Sequence, residues 1–467
     1  MKALAREKLG TEPIGRLLAI MAAPSIVAMV MQALYNTVDS IFVSRISHGA
    51  LAAVTLAFPI QMITGALSTG IGVGINSSIS RNLGSGHEEL SSKAAGNGLI
   101  LGLFSLALMV LFGLFGTGWY LGLYTTDPEV ISAGMIYIRT VCILSFGSIF
   151  TQISFSILQG SGNMVIPMMS QIAGAVCVIG LDPLFILVFK MGILGAALAS
   201  STAQVVAMCI GLYGVFIRNR HNLPVTRSAF KPEKAVIKDI LVVGVPSALT
   251  QATTSIVSGI VSKIIARYGT AMISVYGGYT KFSSFGQLPV FGVTRGMNPI
   301  LGYSYGAKDK GRFTGTLRRA VVAGAIITAL VGLFFLLFPG TILKMIDATD
   351  EMRAIGMRAY RILSIVIIIS GPSIVLSQSF PPAKRSYLTM IYSLVRQVAF
   401  LIPICLLMSA NFGEIGVWFG LVITDSLGLV TVIIMHTWFV RAVLNKWPDK
   451  PVQAETNDTA TNKEESK

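Results

Sequence analysis

Along this chain, hydrophobic and polar positions separate into long blocks. Apolar runs recur from residue 14 to residue 440, split by short polar connections, at 14–42, 52–77, 94–120, 131–158, 164–189, 192–217, 239–265, 270–300, 318–339, 355–379, 386–409 and 412–440. Each can cross a bilayer as a helix, which takes about 20 apolar residues. Helices also satisfy their own backbone polar groups in lipid. The pattern predicts an all-α integral membrane protein with twelve transmembrane helices. One run breaks its own apolar rule. In the first, Gln32, Tyr35, Asn36 and Asp39 fall at i, i+3, i+4 and i+7 and so share one helix face. A stripe ending in a carboxylate has no use toward lipid, and by default it faces a protein interior or a water cavity.

The connections divide the chain. Residues 1–13 form an N-terminal segment, 14–217 a first six-helix lobe, 218–238 a linker, 239–441 a second six-helix lobe, and 442–467 a polar, disordered tail. The linker carries Arg218, Arg220, Arg227, Lys231, Lys234 and Lys238. Lys and Arg crowd the N-terminus and alternate loops, including Lys308, Lys310, Lys384 and Arg385, whereas the other loops carry acids such as Asp127, Glu129, Asp347, Asp350, Glu351 and Glu414. That asymmetry predicts both termini in the cytoplasm.

The lobes repeat each other at a shift of 222 residues. Pro24 and Ser25 meet Pro246 and Ser247, Arg45 meets Arg267, and Arg139 meets Arg361. Gly70, Gly74, Asn76 and Gly84 meet Gly292, Gly296, Asn298 and Gly306. Six spans per repeat put both halves into the membrane from the same side, a parallel repeat about an axis along the membrane normal. That is a transporter plan, with a cavity between two lobes.

Composition narrows the function. Of 467 residues, 53% are hydrophobic and 12% charged, too apolar for a soluble domain. The net charge of +15 sits mainly in alternate loops, so it signals topology and not a nucleic-acid partner. The first span is too long and too polar in its later part for a cleavable signal. Cys142, Cys177, Cys209 and Cys405 lie in apolar runs without metal spacing and read as core residues. The chain has no phosphate-cradling GxxxxGK[ST] loop, no HExxH, and no loop long enough for a catalytic domain. Neither an enzyme nor an ATP-driven pump fits, and no cofactor is expected.

The candidate chemistry is intramembrane charge. Asp39, Asp182 and Ser200 lie at similar depths in spans one, five and six, all in the first lobe. Pro183 follows Asp182 and distorts its turn. Two acids in a low dielectric resist ionising together, and a proton or a sodium ion relieves both; Asp39 and Asp182 form a coupling-ion site on this reading, with no other metal expected. At the shifted position of Asp39 the second lobe has Val261. It has its own charges in Lys281, Arg396 and Asp425, of which Arg396 and Asp425 are expected to form a structural ion pair, because buried charges are normally paired. Spans seven and eight carry Gln251, Thr254, Tyr276 and Tyr279. These read either as the wall of a water-filled substrate cavity or as helix–helix contacts through small polar residues, and Lys281 either lines that cavity or snorkels.

The run QALYNTVDSIFV (32–43), the run LDPLFI (181–186), the run GMNPILGYSYGA (296–307) and LVRQ (394–397) resemble motifs of the MATE (multidrug and toxic compound extrusion) transporters, in particular the bacterial MepA-like group with first-lobe acids of the DinF type. The resemblance implies the two-lobed MATE/MOP fold. It implies an antiporter of the cell membrane that exports lipophilic or cationic drugs in exchange for H+ or Na+, a trait of antibiotic resistance, working as a monomer among membrane lipids. Asp39 and Asp182 match the coupling acids, Gln32, Tyr35 and Asn36 their neighbours in span one, and Ser200 stands where relatives carry threonine. Val178 departs from the family, which often has asparagine four residues before the span-five acid; losing that oxygen tilts the coupling toward protons. The same scaffold also suits a flippase for a lipid-linked or other amphipathic metabolite. That work would favour interior Arg and Lys for pyrophosphate.

Overall fold

In the computed structural model, the backbone is described for residues 5–43 and 48–447, and side chains for 8–38, 55–186 and 188–447. Most of these residues are helical, and none of them forms a strand. We number the membrane-length helices α1 (Ile14–Val43), α2 (His48–Gly84), α3 (Glu88–Gly122), α4 (Pro128–Gly160), α5 (Val165–Pro183 with the π-helical turn Leu184–Val188), α6 (Gly192–Arg218), α7 (Lys234–Ala266), α8 (Thr270–Gly306), α9 (Lys310–Leu337) and α10 (Asp350–Ser377). A last continuous run, Ser386–Lys446, is 61 residues long. It folds back at Gly413, whose φ of 62° and ψ of −141° leave the helical region. Gly420 sits against Cys405 and Gly428 against Arg396, so the two arms are antiparallel neighbours, α11 before Gly413 and α12 after it. Twelve crossings result. By length and hydropathy ten helical stretches among the described residues qualify as spans: the hairpin counts as one, and α8, with 37 residues, is too polar to register.

Helices overrun the apolar runs that announce them. α2 reaches Gly84, α3 starts at Glu88 and α9 at Lys310, so Arg81, Lys93, Arg318 and Arg319 sit on helices and not in loops. Capping follows ordinary rules. Asp127 accepts from the Glu129 N–H at the start of α4, and Asp309 accepts from the Arg312 N–H at the start of α9.

Cores show how the lobes meet. At the end of the bundle where α1 and α7 begin and α2 and α8 finish, here the basic end, both large cores cross the lobe boundary. Leu17, Leu18, Met21 and Ala22 of α1 pack into a second-lobe core with Val293, Met297, Ile300 and Phe439. Val236 and Ile240 of α7 pack into a first-lobe core with Ile75, Ile79 and Ile153. At the opposite end each lobe keeps a core of its own, around Tyr137 and Ala197 in the first and around Tyr360 and Trp418 in the second.

Two repeat-related glycines make the crossing possible. A Cβ on Gly70 would stand 2.7 Å from the Gly244 carbonyl oxygen and 2.8 Å from Ala248 Cβ; a Cβ on Gly292 would stand 2.7 Å from Ile26 Cα. Gly70 and Gly292 differ by 222 residues, and so do Ile26 and Ala248. The α2–α7 and α1–α8 contacts are therefore copies of each other under the internal repeat.

Candidate functional site

Asp182 is fully buried near the end of α5. One turn earlier on the same face lies Val178, also buried. Pro183 has no N–H to give to the carbonyl four residues back, and the helix widens into the π turn Leu184–Val188, closed by the Phe189 N–H on Leu184 O at 2.9 Å. α5 lies close to α6 because Gly174 faces Ala203 and Ala207 with no side chain between them, and the Ser170 hydroxyl donates to the Ala207 carbonyl. α1 packs along α5 and touches α6. The three helices carrying the first-lobe candidates thus form one packed group. Gln32, Tyr35 and Ser200 are partly exposed and Asn36 is exposed; Tyr35, Asn36, Asp182 and Ser200 each have an interaction partner. Asp39 is in the helical part of α1, and its side chain lies outside the described residues.

The second lobe treats its charges differently. Arg396 Nε donates to Asp425 Oδ1 at 2.6 Å, bringing α11 and α12 together inside the π turn Val395–Leu401. Tyr279 corrects an expectation: it is 6% exposed and does not line a cavity. Its ring meets Tyr276, Phe335 and Tyr360 at centroid distances of 6.2, 5.9 and 6.4 Å, and Tyr276 also meets Trp418. Tyr279 belongs to an aromatic core with the partly exposed Tyr276 packed against it, and edge and offset contacts stabilise such packing. Thr254 accepts from Gln397 Nε2 at 3.0 Å, an interhelical tie. Gln251 is exposed on the face of α7 that carries Gly244 and Ala248, the face turned to the first lobe. Lys281 is exposed. Among the described residues no three His, Cys, Asp or Glu side chains converge as a metal site.

One polar cluster escapes the sequence reading. At the basic end Asp239 of α7 receives Arg81 of α2 at 2.6 Å and Lys384 at 2.5 Å. Arg81 also donates to Ser77, and the Ser77 hydroxyl donates to Pro381 O at 2.6 Å. Lys384 follows the buried turn Pro381–Ala383 and holds a left-handed φ of 59°. The clamp ties the first lobe to the second where their cores already merge.

A profile of the MatE family matches residues 24–184 and 246–407. The two matched stretches start 222 residues apart, in the register of the internal repeat. The chain belongs to the MatE family. Relatives of this MatE protein include the multidrug export protein MepA of Staphylococcus aureus (strain NCTC 8325 / PS 47), 23% identical over 435 residues, covering 91% of this chain and 94% of the relative. MepA of Staphylococcus haemolyticus (strain JCSC1435) is 22% identical, covering 86% of this chain and 89% of the relative. A MATE crystal structure in complex with MaL6 superposes with a TM-score of 0.90 at 24% identity, covering 96% of this chain and 100% of the other. A multidrug resistance MATE transporter of the MOP superfamily in its outward-facing conformation gives 0.89 at 24%, covering 96% and 99%. The fold is therefore that of MATE transporters.

Proposed function

We propose that this protein is a secondary active multidrug exporter of the cell membrane, trading lipophilic or cationic compounds for H+ or Na+, with both termini in the cytoplasm and a single chain as the working unit. The observation that carries the reading is a carboxylate, Asp182, buried completely at membrane depth on a helix packed against the one that bears Asp39. A buried carboxylate is costly unless it is paired or binds a cation.

In this reading the basic end is cytoplasmic, and the merged cores and the Arg81–Asp239–Lys384 clamp hold it shut. Cation binding at Asp39 and Asp182, beside Gln32, Tyr35, Asn36 and Ser200, neutralises the first-lobe acids. That removes the solvation cost of collapsing the first-lobe cavity and drives the drug out. Release of the cation to the cytoplasm restores the carboxylates and the affinity for drug. Val178 offers no oxygen next to Asp182, which favours the proton over sodium.

Dye export from proteoliposomes, with pH and sodium gradients imposed separately, tests this directly. Export driven by the pH gradient supports proton coupling, and export driven by sodium alone supports a sodium site. Equal dye flux with neither gradient contradicts an antiporter.

A further inference from the structure

Arg295 is an intramembrane cation that neither the sequence reading nor the coupling scheme uses. It stands eleven residues inside Gly306, about 16 Å along α8 at 1.5 Å per residue. Its direction follows from its neighbours. At ~100° per residue, Gly302 points within roughly 20° of Arg295, and Gly292 and Gly296 lie about 60–100° to one side. Gly302 packs on Ser80 of α2, whereas Gly292 and Gly296 pack on Ile26 and Ala22 of α1. The reverse face of α8, with Val293, Met297 and Ile300, fills the second-lobe core. Arg295 therefore leaves the second lobe and aims into the first, between α1 and α2.

Its surroundings combine depth in the bundle with partial access. The residue lies deep in the bundle, on a helix whose neighbouring positions Thr294 and Gly296 are buried, yet its own side chain stays partly accessible. Among the described residues no carboxylate stands against it. Two other arginines among the described residues are matched, Arg396 by Asp425 and Arg81 by Asp239. An unmatched arginine at membrane depth is expensive and marks function by default. Its planar fork suits a carboxylate, which it can hold through two parallel hydrogen bonds. Gln251 of α7 lies about 18 Å above Asp239 by the same helix rise, so a hydrogen-bonding amide faces the first lobe at a similar depth.

We propose that Arg295 is a substrate-recognition residue that takes the carboxylate of an amphipathic compound at the floor of the space between the lobes. The exporter would then carry zwitterionic and anionic compounds alongside the lipophilic cations its first-lobe acids favour. This rests on the export reading above.

The test uses two probes that differ in one group, a rhodamine with a free carboxylate and its ethyl ester. Binding is read by fluorescence on the purified full-length protein, and export in proteoliposomes. Arg295→Gln should weaken the carboxylated dye at least about tenfold, the value of a lost charge-assisted fork, and leave the ester within about twofold. Arg295→Lys should recover part of the difference, and it supplies the comparison if the glutamine variant does not fold. Equal loss of both dyes in folded protein, or no change in either, overturns the proposal. Wild-type protein that binds the carboxylated dye through Arg295 but exports neither dye contradicts the export reading and leaves this site standing. Wild-type protein that exports the ester and binds the carboxylated dye independently of Arg295 does the reverse.

Discussion

The two lobes are copies in backbone and opposites in charge. Each has a π-helical turn on its fifth helix, at Leu184–Val188 and at Val395–Leu401. In the first lobe the turn follows a buried acid, Asp182. In the second it contains Arg396, bound to Asp425 at 2.6 Å. At the place of Asp39 the second lobe has Val261, buried in its core. A matched pair of opposite charges fixes one arrangement; in the proposed scheme, a buried carboxylate that gains and loses a cation gives its lobe two. The lesson is that duplication supplies two similar walls, and later substitution gives each its own intramembrane polar residues.

The largest contrast should come from removing one carboxylate in each lobe. Asp182→Asn keeps size and removes charge; it should abolish gradient-driven dye export while leaving the melting temperature close to wild type. Asp425→Asn should instead strand Arg396 and cost about 3 kcal/mol, the lower end for a broken buried pair because Arg396 keeps some solvent access, read as a loss of melting temperature. The double change Arg396→Met with Asp425→Leu should restore most of that stability. If it stays unstable, or if it folds and still fails to export, the second-lobe pair does more than hold α11 to α12.

A smaller effect is expected at the lobe boundary. Gly74 faces the backbone of Ile240, so Gly74→Leu should wedge α2 from α7 and destabilise the closed basic end by about 1–3 kcal/mol, the usual range for overpacking. A cysteine in place of Ser77, in a background without the four native cysteines, should then label faster with an impermeant maleimide from the basic side. Smallest is Lys384→Ala. The lysine is 49% exposed, and its loss should cost less than about 1 kcal/mol in the same assay.

Much of this was legible in the sequence, for identifiable reasons. Apolar length announces the spans, and the 222-residue register announces the two lobes, because lipid constrains composition along every helix. Asp39 and Asp182 stand out because an acid is rare in such runs. The clamp was illegible because Arg81 looks like a loop residue until α2 is seen to overrun its apolar block, and Asp239 stands at the very edge of its own run. Tyr279 misled because a three-residue aromatic spacing fits a core as well as a cavity wall. Arg295 lies five residues from the end of its apolar run and passes for an interface residue; a lone arginine between Gly292 and Gly296, both repeat landmarks, was the available signal. The π turns depend on which carbonyl each N–H selects, and composition does not encode that choice.

The most direct measurement is drug affinity against cation concentration, by fluorescence titration of purified wild type and Asp182→Asn across pH and sodium. Coupling through the first-lobe acids predicts that wild-type affinity falls as the coupling cation rises, because protonation or sodium binding removes the charge the drug senses, and that the variant responds to neither. An Asp182→Asn protein whose affinity follows pH or sodium as steeply as wild type would contradict it.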